Sequence, residues 1–112
     1  MPAFIDNETW LIETGDAIIE KEVRLGVVSL TPLERLIHCL WVADYGMRNA
    51  GDLTTAAEVY PTFQKEALAL AKSLALPATI EAFSRPLDAF QRSYYERFDG
   101  ICDEIRNVAT ST

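Results

Sequence analysis

The run Thr31–Leu53, TPLERLIHCLWVADYGMRNAGDL, decides the fold. Thr31 can cap free helix amides, Pro32 stands where a missing N–H is harmless, and Glu34 completes a T-x-x-E capping box. Leu33, Leu36, Ile37, Leu40 and Trp41 then recur in steps of three and four, the signature of one buried helix face. Asn49-Ala50-Gly51 closes the run, with Gly51 suited to the left-handed position after a helix end. At about 1.5 Å per residue the rod is about 30 Å long, enough to cross a small domain. The spacing predicts a central helix around which the other elements pack.

Upstream, Asp6 or Asn7 can cap a first helix. Leu11, Ile12, Ile18, Ile19 and Val23 line one broad side of it, and Gly15 offers a place for another helix to come close. Gly26-Val27-Val28-Ser29-Leu30 is too short for a sheet and reads as an apolar connector tucked against the core. Downstream, Asp52 caps a short helix from Leu53 to about Val59, which Tyr60-Pro61 breaks. Phe63, Ala67, Leu70, Ala71 and Leu74 mark a fourth helix, and Pro77 starts a fifth, Ala78 to Phe83. Leu87, Phe90, Tyr94, Phe98, Ile101, Ile105 and Val108 give the last helix its unbroken seam. That seam could pair with a second copy in a homodimer, but packing onto the domain's own core is the expectation. The tail, residues 109–112, is expected to fray.

No alternation of period two survives, so residues 1–112 read as one all-α domain of five or six helices with a long central and a long C-terminal helix. Its expected core is Leu36, Ile37, Leu40, Trp41, Phe63, Leu70, Leu74, Phe90, Phe98 and Ile101. A chain of 112 residues with 49% hydrophobic content can bury such a core without metal or disulfides. Apolar stretches fall well short of a membrane span, and MPAFIDNETW carries no basic leader region, so a cytoplasmic location is expected. Cys39 and Cys102 lie within helical patterns and read as free, buried thiols.

The net charge is −7, from 17 acids against 10 bases. This argues against direct contact with nucleic acid or an anionic membrane, which needs clustered Lys and Arg. It suits a basic protein partner. Glu13, Asp16 and Glu20 fall at i, i+3 and i+7 on the first helix, and Glu96, Asp99 and Asp103 repeat that spacing on the last. Each set makes a carboxylate ridge, with steps of about 4.5–6 Å along its axis.

Chemistry of other kinds finds few residues. His38 is the one histidine, and Cys39 beside it points about 100° away around the helix, so no nucleophile–base pair forms locally. One His and two distant Cys lack zinc spacing, and the glycines form no phosphate loop. No enzyme activity, metal or cofactor is expected. Asp44 lies at the edge of the central helix's apolar stripe, with Arg48 one turn on. The two read as a structural ion pair, paired or half-exposed because a lone buried carboxylate is expensive. Tyr94 lies on the seam of the last helix and Tyr95 beside it, a pair suited to packing with a hydroxyl at the edge.

Four stretches together resemble a known family. They are Leu30-Thr31-Pro32-Leu33-Glu34-Arg35-Leu36, the turn from Asp44 to Leu53, the alanine-leucine run Glu66 to Pro77, and Leu87-Asp88-Ala89-Phe90 through Tyr94-Tyr95. Their order and spacing, over about residues 30–105, are similar to the DNA-mimic-protein-19-like domain, a family of small bacterial helical proteins mostly of unassigned function. The family typically reads Asn-Gly-Gly-Phe where this chain has Asn49-Ala50-Gly51-Asp52-Leu53, and a glycine where it has Ala75. The resemblance implies an orthogonal all-α bundle. For the family's namesake it implies a surface whose carboxylates imitate DNA phosphates for a DNA-binding protein.

Residues and resemblance together give a non-enzymatic acidic binding domain as the expected function. Glu13, Asp16, Glu20, Glu96, Asp99 and Asp103 are its partner-binding residues, and a basic DNA-binding regulator is the favoured partner. A toxin-neutralising protein of the immunity type fits the same profile, as does acidity that serves solubility alone.

Overall fold

Thr31 caps the central helix as its sequence predicts. Its hydroxyl accepts from the Glu34 amide at 3.1 Å, and the Glu34 carboxylate accepts from the Thr31 amide at 2.9 Å, closing both halves of the capping box. That helix, α2 (Pro32–Ala50), ends on Gly51 at φ 77° and ψ 13°, whose N–H donates to the Met47 carbonyl. The structure, a computed structural model, describes residues 5–111, with the backbone alone at Val27 and Ser111. Around α2 stand α1 (Asn7–Leu25), a 3-10 turn (Val27–Ser29), α3 (Leu53–Val59), α4 (Phe63–Ser73), α5 (Pro77–Phe83) and α6 (Leu87–Ser111). No strand occurs among the described residues. The result is an all-α bundle of about 37 × 31 × 28 Å.

α2 touches α1, α3, α4 and α6, and buries residues on most of its circumference. Leu36, Ile37, Cys39, Leu40, Val42, Ala43 and Met47 all lie in the core. α1 runs antiparallel to α2: Glu8 meets Arg48, Gly15 meets Trp41 and Lys21 meets Glu34. The missing side chain of Gly15 lets the Trp41 ring in, since a Cβ there would sit 2.2 Å from Trp41 Cδ1. α6 lays Phe90, Tyr94, Phe98, Ile101 and Ile105 into the same core. Its seam is therefore used within the chain, with Leu87 and Val108 partly buried at its ends.

Polar groups fasten the shorter helices. The Glu104 carboxylate accepts from the Ala78 and Thr79 amides at the start of α5, each at 2.8 Å, and from the Thr79 hydroxyl. Gln91 on α6 accepts from the Leu53 amide at the start of α3 at 2.8 Å. Such bonds fill the orphan donors of helix starts that lack local partners.

Several expectations are corrected. Trp41 on α2, Leu70 on α4 and Leu74 at the end of α4 are only partly buried, packed against the margin of the core rather than inside it. On α1, Leu11 and Ile18 are buried, whereas Ile12 is 44% and Val23 82% exposed. The apolar side of α1 is thus wider than the strip that α2 and α6 cover. The connector is not tucked in: Leu30 is buried but Val28 is 92% exposed, the 3-10 turn facing it outward. Thr112, and the first four residues of the stretch read for a leader, lie outside the described residues.

Candidate functional site

The start of α1, the end of α2 and the middle of α6 converge on Arg48. Asp6 caps α1 by accepting from the Thr9 amide at 2.8 Å, which aims the next residues at the neighbouring helices. Glu8 comes within 3.6 Å of the Arg48 guanidinium. Arg48 Nε donates to Asp44 Oδ1 at 3.2 Å, and its guanidinium carbon lies 4.9 Å over the Tyr95 ring and 5.2 Å from the Phe98 ring centre. Tyr95 donates its hydroxyl to the Met47 carbonyl at 3.2 Å. Burial works against the charge on Arg48, but Asp44 first and Glu8 after it outweigh that and hold its pKa above the ordinary value.

Asp44 is not half-exposed. It is 4% exposed, and its Oδ1 also accepts from the Tyr94 hydroxyl at 2.7 Å. The pairing with Arg48 stands as expected, but the carboxylate lies inside the bundle and owes its place to a partner on another helix. Burial, and then the Asp44 charge, push the Tyr94 pKa well above the ordinary value, so Tyr94 is a firm donor at neutral pH.

The six predicted carboxylates divide. Glu13, Asp16 and Glu20 are exposed on α1, turned away from the buried Leu11, Gly15 and Ile18. Glu96, Asp99 and Asp103 are exposed on α6. Asn7 ties two of these to α1: its amide donates to Asp99 Oδ1 at 2.8 Å and to Asp103 Oδ1 at 3.2 Å, while its carbonyl accepts from Arg106 at 2.9 Å. The two ridges do not merge into one row. Arg48 and Glu8 lie between them and line a hollow on either side. One, about 290 Å³, opens between α1 and α2 and takes in Asp16 with Ile12, Trp41, Asp44 and Tyr45. The other, about 260 Å³, takes in Asp99 with Asp6, Asn7 and Tyr95. The arrangement is an acidic saddle with the Arg48 guanidinium at its pass.

Five basic side chains elsewhere are held in ion pairs, whereas Arg24, Lys65 and Lys72 are in none among the described residues. Glu34 holds Lys21 at 2.9 Å, Glu66 holds Arg35 at 3.0 Å, and Asp88 holds Arg92 at 3.2 Å. Glu81 holds both Arg85 and Arg97, at 2.9 and 3.3 Å, and its pKa is lowered by those hydrogen bonds. Glu13, Asp16 and Glu20 on α1 gain no such cation among the described residues.

A third cleft, about 420 Å³, gathers a group that sequence spacing does not bring together. His38 Nδ1 lies 3.9 Å from Glu22, its ring centre is 5.6 Å from that of Tyr60, Tyr60 donates its hydroxyl to Glu66, and Arg35 grips the same Glu66. Arg35 and His38 share an α2 ridge, three residues apart, and that was the one local signal. Glu22 arrives from α1, Tyr60 from the end cap of α3 and Glu66 from α4. The group holds no activated nucleophile: Cys39 is buried, and desolvation followed by the Glu66 charge pushes its thiol up to about 12. Cys102 is likewise a buried free thiol with a raised pKa. Among the described residues no three His, Cys, Asp or Glu side chains gather to hold a metal ion. No helix among them is long and apolar enough to cross a membrane.

Compared with known proteins, the sequence matches no family model, no curated protein and no solved structure. The resemblance to DNA-mimic proteins therefore rests on the sequence stretches that carry it.

Proposed function

We propose that this chain is a non-enzymatic binding protein whose acidic saddle docks onto a basic protein, with a DNA-binding regulator as the partner. The observation that carries the reading is the placement of charge. Lys21, Arg35, Arg85, Arg92 and Arg97 are held in ion pairs, while Glu13, Asp16, Glu20 and Glu96 stand exposed on α1 and α6. Five of the net −7 charges lie on these two helices, ten acids against five bases. Carboxylates in rows suit an Arg- and Lys-lined surface, where they form charge-assisted hydrogen bonds and speed encounter. The resemblance to DNA-mimic proteins favours a partner whose own ligand is DNA.

The test is competition. Partners captured from lysate by the immobilised protein at low salt should be released by duplex DNA, and by added salt as exposed charges are screened. Partners that stay bound in the presence of both would remove the mimicry reading.

A further inference from the structure

The cleft of about 420 Å³ is larger than either hollow of the saddle, and α1, α2, α4 and the end of α3 all contribute to its lining. Two of its polar side chains are left unbonded. The Glu22 carboxylate and the His38 ring make no hydrogen bond among the described residues, and Glu22 Oε2 stands 3.9 Å from His38 Nδ1. That gap exceeds the about 2.7–3.2 Å of a hydrogen bond. Side-chain exposure is 33% for Glu22 and 20% for His38, so both are partly withdrawn from bulk water. Polar groups in that position take their partner from whatever fills the space beside them. An oxygen about 2.8 Å from each atom spans the gap at an angle of about 90°. A hydroxyl there accepts from the imidazole N–H and donates to the carboxylate.

The other polar groups are already committed. Arg35 donates from Nε and Nη2 to Glu66, at 3.2 and 3.0 Å, and Tyr60 donates to the same carboxylate. Burial, and then the bond to Glu66, raise the Tyr60 pKa, so that its proton stays in place at neutral pH. The Arg35 charge is thus matched within the lining, and Glu22 repels an anionic ligand. The remaining walls are apolar or aromatic: Leu30, Trp41, Val42 and Val59. Val59 is 55% exposed where it borders the cleft, apolar surface that an occupant would cover. The volume is near the lower end of the about 300–1,000 Å³ of small-molecule sites, room for one or two rings. Aromatic side chains on the lining favour a flat ring over a branched aliphatic body. We infer that this cleft is a binding site for a small uncharged aromatic alcohol, of the phenol or naphthol class, whose hydroxyl bridges Glu22 and His38. Glu13, Glu20 and Glu96 lie outside the lining, so this site is independent of the acidic saddle.

The experiment is a titration of the ¹⁵N-labelled protein with 2-naphthol, and in parallel with 2-naphthoate and 2-naphthylmethylamine, which carry the same rings with an anion or a cation. 2-Naphthol should give saturable shifts at the Trp41 indole N–H and at the His38, Val59 and Tyr60 amides. The anion and the cation should bind more weakly. Glu22→Ala removes one hydrogen bond to the hydroxyl and should weaken 2-naphthol about threefold to tenfold with an unchanged melting temperature. Val59→Trp, which adds bulk at the border of the cleft, should abolish binding in a protein that still folds. No saturable shift, equal or tighter binding of either charged probe, shifts centred on Ile12 and Tyr45, or undiminished 2-naphthol binding by Glu22→Ala would overturn the assignment.

Discussion

The Tyr94 hydroxyl donates to Asp44 Oδ1 across 2.7 Å, joining residues fifty positions apart in the chain. It fastens α6 to α2 at the point where Arg48 takes the same oxygen. A hydrogen bond to a buried carboxylate contributes about 1.5–3 kcal/mol, more than an exposed ion pair of about 0–1 kcal/mol. Tyr94→Phe should therefore lower the unfolding free energy by about 1.5–3 kcal/mol in urea denaturation. A loss under about 0.5 kcal/mol would show that Asp44 is satisfied without Tyr94.

Gly46 marks a second tight contact. A Cβ on it would lie 2.7 Å from the Asp52 carbonyl oxygen and 2.8 Å from the Ala56 amide nitrogen. Both are backbone atoms of the turn and helix that follow α2, so no side-chain rotation relieves the clash. Gly46→Ala should destabilise by about 1–3 kcal/mol despite alanine's better helix propensity. Thermal melting that is unchanged, or raised, would refute this packing of α3 on α2.

Ala75 has φ 57°, a left-handed conformation that alanine enters at a cost. It follows α4, where the Leu76 amide donates back to the Ala71 carbonyl at 3.0 Å, a helix stop that favours glycine. Ala75→Gly should stabilise by about 0.5–1 kcal/mol after the extra chain entropy of glycine is subtracted. A lower melting temperature for the variant would contradict the left-handed assignment.

Alkaline pH should destabilise the protein through its buried thiols and phenols. Desolvation, helped by Glu66, raises Cys39 from 9.0 and Tyr60 from 10.0, each to about 12, and Tyr94 also moves upward. A group whose pKa is raised on folding holds its proton more tightly when folded. Its stabilisation is complete below the unfolded pKa and is lost as pH climbs through the folded one. Melting temperature should fall steadily between about pH 9 and pH 12. Asp6, Glu34, Asp52 and Glu81 are shifted the other way by local hydrogen bonds, so their contribution is lost only as pH falls below about 4. A melting temperature constant to about pH 11 would show that these groups are not buried as described.

What was legible in the sequence was local. Thr31, Glu34 and Gly51 announce the limits of α2 within one turn of each end, and the Phe90-to-Ile105 seam gives α6 its inward face. Gly15 correctly marks a close approach, though not that Trp41 is what enters. The burial of Asp44 was not legible, because the donor that permits it lies on another helix. The exposure of Val23 and Val28 was hidden for a related reason: apolar identity fixes where a residue can be buried, not whether a neighbour covers it. For the site, regular spacing found both carboxylate ridges. It did not find that Arg48 and Glu8 stand between them, or that Asn7 ties Asp99 and Asp103 to α1.

The central claim is that outward carboxylates, not the fold alone, hold the partner. Glu13, Glu20 and Glu96 are exposed and lie outside the ion pairs that stabilise the bundle, so changing all three to Lys should leave melting intact. The substitution moves the net charge from −7 to −1, two units at each position. Capture of partners from lysate of the source cell, measured side by side for the original and reversed proteins at low salt, is the direct measurement. Loss of the DNA-competable partners with an unchanged melting temperature is the predicted result. The same partners retained by the folded, charge-reversed protein would contradict the account and leave the acidic ridges as solvated helix faces.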